Sequence, residues 1–186
     1  MRVLILDIDY TLNMDDPMPL VEIAEKRGLA KYGKAIWKMF EAPAKDMEVL
    51  PHPIPYKHYS EFTESYDKII IITSRLEDWK KPTKQWLKKW GFTYDHMYMR
   101  PSGDFKTKSH ELKESIMAKI VARFNPTHVT TIDDDSGVIG FYQSQNYKVF
   151  KAPDQWYEAL KYHRRVNGNL KRKQSKNSTT ELKVAK

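Results

Sequence analysis

Asp7 and Asp9 stand two residues apart at the end of the apolar run Val3-Leu4-Ile5-Leu6, in the segment Asp7-Ile8-Asp9-Tyr10-Thr11-Leu12. The run reads as a short buried strand. Side chains alternate along a strand, so the two carboxylates leave it on one face. The carboxyl end of a strand is where open α/β sheets place their sites. Two like charges this close repel unless a cation or a proton lies between them. Such a pair suits a nucleophile that also holds a metal, next to a general acid/base. The plainer alternative is a strand, a turn and two solvated acids.

Two further runs end in chemistry-bearing residues. Ile69-Ile70-Ile71-Ile72 is followed by Thr73-Ser74-Arg75, and Val129-Thr130-Thr131-Ile132 by Asp133-Asp134-Asp135-Ser136. Between them lies a lysine-rich stretch from Lys106 to Lys113. In this order the segments resemble the motifs of the haloacid dehalogenase (HAD) superfamily. The resemblance covers about 150 residues. Met99-Arg100-Pro101, Asp104-Phe105-Lys106 and Glu111-Leu112-Lys113 are similar to the phosphatase domain of bacteriophage-type polynucleotide kinase. Arg75 to Trp79 and Thr83 to Leu87 are similar to the corresponding segments of nucleotide-acting members such as 5′-nucleotidases.

The resemblance implies roles. Asp7 becomes nucleophile and Mg2+ ligand. Asp9 becomes acid/base, with its backbone carbonyl a second ligand. Thr73 is the phosphate-binding hydroxyl, with Ser74 the alternative, and Arg75 pairs with the substrate phosphate. Lys113 balances charge, with Lys106 and Lys108 as alternatives. Arg100 and Lys106 contact substrate, and Asp133 and Asp134 complete the metal set. Asp135 and Ser136 sit where a helix N-cap is wanted. Tyr10 replaces a common Gly. A Tyr does not adopt positive φ cheaply, so Tyr10 reads as narrowing the site mouth or stacking on substrate. Thr11 reads as a turn-fixing residue.

These residues must be positioned by alternating strands and helices. The pattern predicts strands at 2–8, 68–72, 96–100, 128–132 and 147–150, and helices at 56–66, 82–90, 110–124, 136–144 and 154–165. Strands separated by helices imply parallel pairing and right-handed crossovers. The fold class is α/β, and the resemblance implies a HAD-like Rossmannoid sheet of order 5-4-1-2-3. Residues 1–12 and 56–166 read as the core. Residues 13–55 read as a small helical cap, helical from Leu20 to about Phe40 and broken near Gly28 and Gly33, with the prolines of 51–55 forbidding regular structure.

Composition bounds the rest. The chain has 186 residues, no cysteine and a net charge of +8. Residues 161–186 hold nine basic residues and one acid, and the other 160 hold 23 of each. Residues 167–186 read as a basic, disordered tail, either a solubilising or incidental extension or one that attracts polyanions. The short N-terminal apolar run is neither signal peptide nor membrane span, and the chain reads as soluble and cytoplasmic. The combined expectation is a Mg2+-dependent phosphatase acting on a phosphorylated small molecule. The substrate is a (deoxy)nucleoside monophosphate or a nucleic-acid 3′-phosphate end. A small-metabolite phosphatase and a non-catalytic nucleic-acid-binding protein of the same fold are the alternatives. No Gly-rich phosphate loop with Lys-Ser/Thr is present, so no kinase half is expected.

Overall fold

Isoleucine, valine and leucine dominate the apolar runs, and β-branched side chains favour the pleated strand. In the computed structural model, which describes the backbone of residues 1–14 and 49–184 and the side chains of 1–14 and 49–172, they form a parallel sheet. Its five strands are β1 (Arg2–Leu6), β2 (Lys68–Leu76), β3 (His96–Arg100), β4 (His128–Asp133) and β5 (Lys148–Lys151). Their order is β3-β2-β1-β4-β5, the predicted order read from the other edge. The helices are α1 (Pro53–Thr63), α2 (Lys80–Lys89), α3 (Ser109–Phe124), α4 (Ser136–Ser144) and α5 (Trp156–Val184). Among the described residues no helix is long and apolar enough to cross a membrane.

The period-2 alternation of β1 divides the core. Leu4 and Leu6 join one apolar layer with Ile71, Ile132, Phe62, Trp86 and Trp156. Val3 and Ile5 join the other, with Ile70, Ile72, Val129, Ile116, Ile120 and Tyr142. By the same alternation Asp7 and Asp133, at the strand ends, face the second layer. That layer is closed by α3, whose buried residues Leu112, Lys113, Ile116, Met117 and Ile120 form one stripe at helical spacing. The stripe brings Lys113 to the carboxylates.

Several boundaries differ from the sequence expectation. Strand β2 runs on to Leu76, with a register shift against β3 between Ile72 and Leu76. Thr73, Ser74 and Arg75 therefore lie on the strand itself. Helix α1 starts at Pro53, inside the segment predicted to be irregular. Proline is tolerated in a first turn, where its missing N–H has no partner to lose. His52 caps it, with Nδ1 accepting from the Ile54 N–H at 3.3 Å. Helix α5 continues to Val184, whereas the sequence predicts a helix ending at 165 and a disordered tail over 167–186. Lys, Arg, Gln and Leu there are good helix formers. Asn167 donates to the Glu61 carbonyl at 2.9 Å, and Lys171 pairs with Glu64 at 2.7 Å, tying the extension to α1. The insertion expected at 13–55 leaves and returns at one place. The Met14 N–H donates to Leu50 O at 3.1 Å and the His52 N–H to Leu12 O at 2.8 Å. The helical cap predicted within it, over 20–40, lies outside the described residues.

Phe62 locks α1 to α5. Its ring lies 5.2 Å from Trp156 and 5.1 Å from His163, and it is buried. Phe62→Ala removes both contacts and leaves a cavity, so it is expected to cost about 3–5 kcal/mol of stability. Urea unfolding followed by circular dichroism checks this, and a loss under about 1 kcal/mol would place the α1–α5 contact outside the cooperative core.

Candidate active site

The site sits at the carboxyl ends of β1, β2 and β4, the central strands. Asp7 directly follows β1, its N–H donating to Ile132 O of β4 at 3.1 Å, so the two acid-bearing strand ends are held side by side. Lys113, only 2% exposed, bridges them. Its Nζ donates to Asp7 Oδ1 at 2.8 Å and to Asp133 Oδ2 at 2.7 Å. Burial alone would drive the ammonium towards neutrality, but Asp133 and Asp7 outweigh it and hold the Lys113 pKa well above its usual value. Lys106 is exposed on the loop 101–108, and Lys108 precedes α3. Lys113 is the lysine that meets both acids.

One lysine does not balance the acids around it. Burial pushes the Asp7 carboxyl well above the usual range, and Asp133, Asp134 and Asp9 add to this against the pull of Lys113. Burial likewise raises Asp133, with Lys113 opposing. Burial and then Asp133 push Asp134 up to about 7. The carboxylate oxygens of Asp7, Asp133 and Asp134 offer ligand atoms within 4.8 Å of one another. Three crowded oxygen donors with excess negative charge are the donor set of a hard divalent cation such as Mg2+. The residues present fit the ion that the sequence implies.

Asp9 is treated differently. It is one-third exposed and lies in the fork of Arg75, whose Nε donates to Oδ2 at 2.9 Å and Nη2 to Oδ1 at 2.6 Å. Asn13 Nδ2 donates to Asp9 Oδ1 at 3.1 Å. Burial opposes ionisation, but the Arg75 charge, the Arg75 hydrogen bonds and the Asn13 amide prevail and hold the Asp9 carboxyl below its ordinary value. Two acids two residues apart are thus driven in opposite directions.

The turn after β1 makes this possible. The N–H groups of Thr11, Leu12 and Asn13 all point at Ile8 O, at 2.8–3.2 Å. Tyr10 takes φ +51, contrary to the expectation that a Tyr avoids this region. Its N–H donates to Asn13 Oδ1 at 2.9 Å, one of the local bonds that hold a conformation costing about 1–3 kcal/mol. The half-buried Tyr10 side chain remains at the turn. Thr11 is buried and reaches Asp134 Oδ1 at 3.5 Å.

The remaining predicted residues separate. Thr73 is fully buried, its Oγ1 accepting from the Arg75 N–H at 3.2 Å. Ser74 is partly open, its hydroxyl donating to Ser109 Oγ at 3.0 Å. Arg100 is 1% exposed. It donates from Nε to Ser74 O at 3.1 Å and from Nη1 to Thr107 O at 2.5 Å, bracing the strand end against the loop 101–108. A buried brace is a different job from the substrate contact expected of it. Asp135 caps α4 as read, accepting from Gly137 N at 2.7 Å and Val138 N at 3.0 Å.

Three contributors escaped the sequence reading. Asn13 fixes Asp9 and Tyr10 and reads in sequence as an ordinary loop residue. Thr83 Oγ1 accepts from Arg75 Nη1 at 3.4 Å. Tyr142 lies fully buried near the cluster, and burial, then Asp133, keep its phenol protonated far above ordinary pH. An Asn three residues after Tyr10 could have signalled a side chain folding back on its own turn. Nothing local marks Thr83 or Tyr142.

A sequence profile of the HAD superfamily, subfamily IIIB (acid phosphatase), matches residues 1–160. No curated protein matches the sequence. Among solved structures, a chain of the Pnkp1/Rnl/Hen1 RNA repair complex is similar at 17% identity and TM-score 0.59. The match covers 81% of this chain and 42% of that one. A phospho-aspartyl intermediate analogue of phosphoserine phosphatase is similar at 15% identity and TM-score 0.51, covering 86% of this chain and 97% of that one. The HAD domain of effector protein Lem4 from Legionella pneumophila is similar at 15% identity and TM-score 0.52, covering 87% and 92%.

The raised carboxyls predict a pH signature. A group at about 7 when folded and about 3.9 when unfolded takes up a proton in the folded state alone between those values. Its stabilising effect is therefore full at low pH and is lost as pH rises through that window. In EDTA, wild-type protein is expected to lose more of its urea midpoint between pH 5 and pH 8 than Asp134→Asn, and the difference between the two isolates Asp134. An equal or smaller loss in wild type would mean that Asp134 titrates normally.

Proposed function

On the premise that the chain belongs to the HAD superfamily, subfamily IIIB, whose members are phosphoric monoester hydrolases, we propose that it is a Mg2+-dependent phosphatase working through an aspartyl-phosphate on Asp7. The observation that carries this reading is the convergence of Asp7 and Asp133 on the buried Lys113 at the strand ends, with Asp9 held beside them in the fork of Arg75. Asp7, Asp133 and Asp134 would hold Mg2+, which would supply positive charge to set against these carboxylates and the phosphoryl group.

The chain's own residues do the rest. Asp7 attacks phosphorus with one carboxylate oxygen, and the bond to the ester oxygen breaks. Lys113 fixes the other Asp7 oxygen and offsets charge that builds on transfer. Asp9 gives its proton to the departing alcohol. It then takes one from the water that attacks the phosphorus of aspartyl-phosphate, freeing inorganic phosphate and Asp7. Arg75 is shared: while it grips Asp9 the carboxyl stays ionised, and when the substrate phosphate draws the guanidinium away Asp9 can carry a proton. The Ser74 hydroxyl, more open than that of Thr73, is the better placed to meet the phosphate. The substrate in this reading is a (deoxy)nucleoside monophosphate or a nucleic-acid 3′-phosphate end. The similarity of the segments 75–87 and 99–113 to nucleotide-acting phosphatases supports it, and the RNA-repair setting of one structural neighbour agrees with it.

The test is phosphate release across nucleoside monophosphates, sugar phosphates and 3′-phosphorylated oligonucleotides, with and without Mg2+, in wild type and Asp7→Asn. Asp7→Asn keeps the shape but removes the nucleophile and a metal charge. Release is expected to fall by roughly 10³-fold or more with the circular-dichroism spectrum unchanged. Near-wild-type turnover by the folded variant would remove Asp7 from the mechanism.

A further inference from the structure

Helix α2 carries a charge pattern that its own folding does not ask for. Its sequence, Lys80 to Lys89, holds five lysines and no acid. The inward residues Thr83, Trp86 and Leu87 are buried, whereas Lys80, Lys81, Lys84 and Lys88 are exposed and make no ion pair among the described residues. The one acidic pair nearby, Glu77 and Asp78, precedes the helix in a 3₁₀ turn and is also exposed. Lys80 and Lys81 occupy the first turn, where the helix dipole is positive and a cation is unfavourable. Some other basic residues of the body do meet an acid. Lys68 pairs with Asp95 at 2.8 Å and Arg164 with Glu61 at 2.6 Å.

The stripe is also tied to the site. Lys80, Lys84 and Lys88 are spaced by four, so they lie on one face and span about 12 Å along the axis. On the opposite side of the same first turns, Thr83 accepts from Arg75, the residue that grips Asp9. The first turn of the helix therefore packs against the arginine of the candidate site.

We propose that the exposed lysine face of α2 is the track for the phosphodiester backbone of a single-stranded nucleic acid whose terminal phosphomonoester is placed at Asp7. This rests on the phosphatase reading above and deepens it by naming the substrate class. Regularly repeated phosphates complement a row of exposed cations that form no ion pair among the described residues. A mononucleotide has no phosphodiesters to lay along the row. Contacts of this kind release condensed counterions, so their contribution fades with added salt.

The experiment compares the full chain with the quadruple variant Lys80→Gln, Lys81→Gln, Lys84→Gln, Lys88→Gln and with the double variant Lys84→Gln, Lys88→Gln. Gln keeps helix propensity close to that of Lys. For each protein, kcat/KM is measured on a 3′-phosphorylated single-stranded oligonucleotide and on the matching 3′-mononucleotide, at low and high salt. The proposal expects the quadruple variant to lose about tenfold or more on the oligonucleotide at low salt, with a smaller loss in the double variant and none on the mononucleotide. The slope of log kcat/KM against log salt should flatten by about 0.7 for each lysine that contacts a phosphate. Equal losses on both substrates, or none on the oligonucleotide, would overturn the proposal. So would a salt-dependent loss on an aspartate-flanked phosphoserine peptide instead, which would assign the stripe to an acidic protein. Phosphate release by wild type reports separately on the phosphatase reading, because its absence on both substrates would defeat that reading whatever α2 does.

Discussion

A single buried ammonium between two buried carboxylates governs the arrangement of this protein. Lys113 touches Asp7 at 2.8 Å and Asp133 at 2.7 Å, and all three are almost wholly removed from water. Burying charges is costly, and a lysine without its acids, or the acids without their lysine, would be strongly destabilising. The fold meets the condition by topology. Strands β1 and β4 are neighbours, so their acid-bearing ends converge, and α3 lays one apolar stripe across both with Lys113 at its start. Asp134 adds negative charge that Lys113 does not cover. Asp7, Asp133 and Asp134 thus offer crowded oxygen donors of the kind that fit a divalent cation.

Beside this dry cluster stands a wetter one. Asp9, two residues on, is gripped by Arg75 and Asn13 and kept acidic, while Asp7 is kept basic. Environments that push neighbouring carboxyls apart are how two identical side chains acquire different tasks. The difference arises from the turn after Ile8. The strand ends at Leu6, and in the turn that follows, with Tyr10 left-handed, Asp7 is buried and Asp9 is partly open. The same turn opens the insertion, whose two ends are stitched together at Met14 and Leu50. Whatever the insertion contributes, it begins and ends beside Asp9.

The sheet and the acid-lysine cluster were legible because their signals are periodic or repeated. Three apolar runs, each followed by residues of defined chemistry, fix the strand ends, and the resemblance of Glu111-Leu112-Lys113 to a known phosphatase segment puts Lys113 ahead of Lys106 and Lys108. What was not legible depends on contacts across the chain. The buried role of Arg100 follows from carbonyls of Ser74 and Thr107, which no local pattern announces. The start of α1 at Pro53 depends on a histidine cap, and proline counting alone argues the other way. The continuation of α5 to Val184 reflects helix-forming residues that carry no apolar stripe, so composition made them look unstructured. Tyr10 was read from intrinsic backbone cost, and the Asn13 side chain that bonds its N–H is visible only once the turn is built.

In the proposed mechanism Asp7 carries the phosphoryl group. Acid quenching of wild-type protein during turnover, followed by mass spectrometry of its peptides, reads this directly. A phosphate adduct on the peptide holding Asp7, more abundant in Asp9→Asn because the second step lacks its base, is the predicted result. Phosphate release at normal rate with no adduct on that peptide in either protein would contradict it.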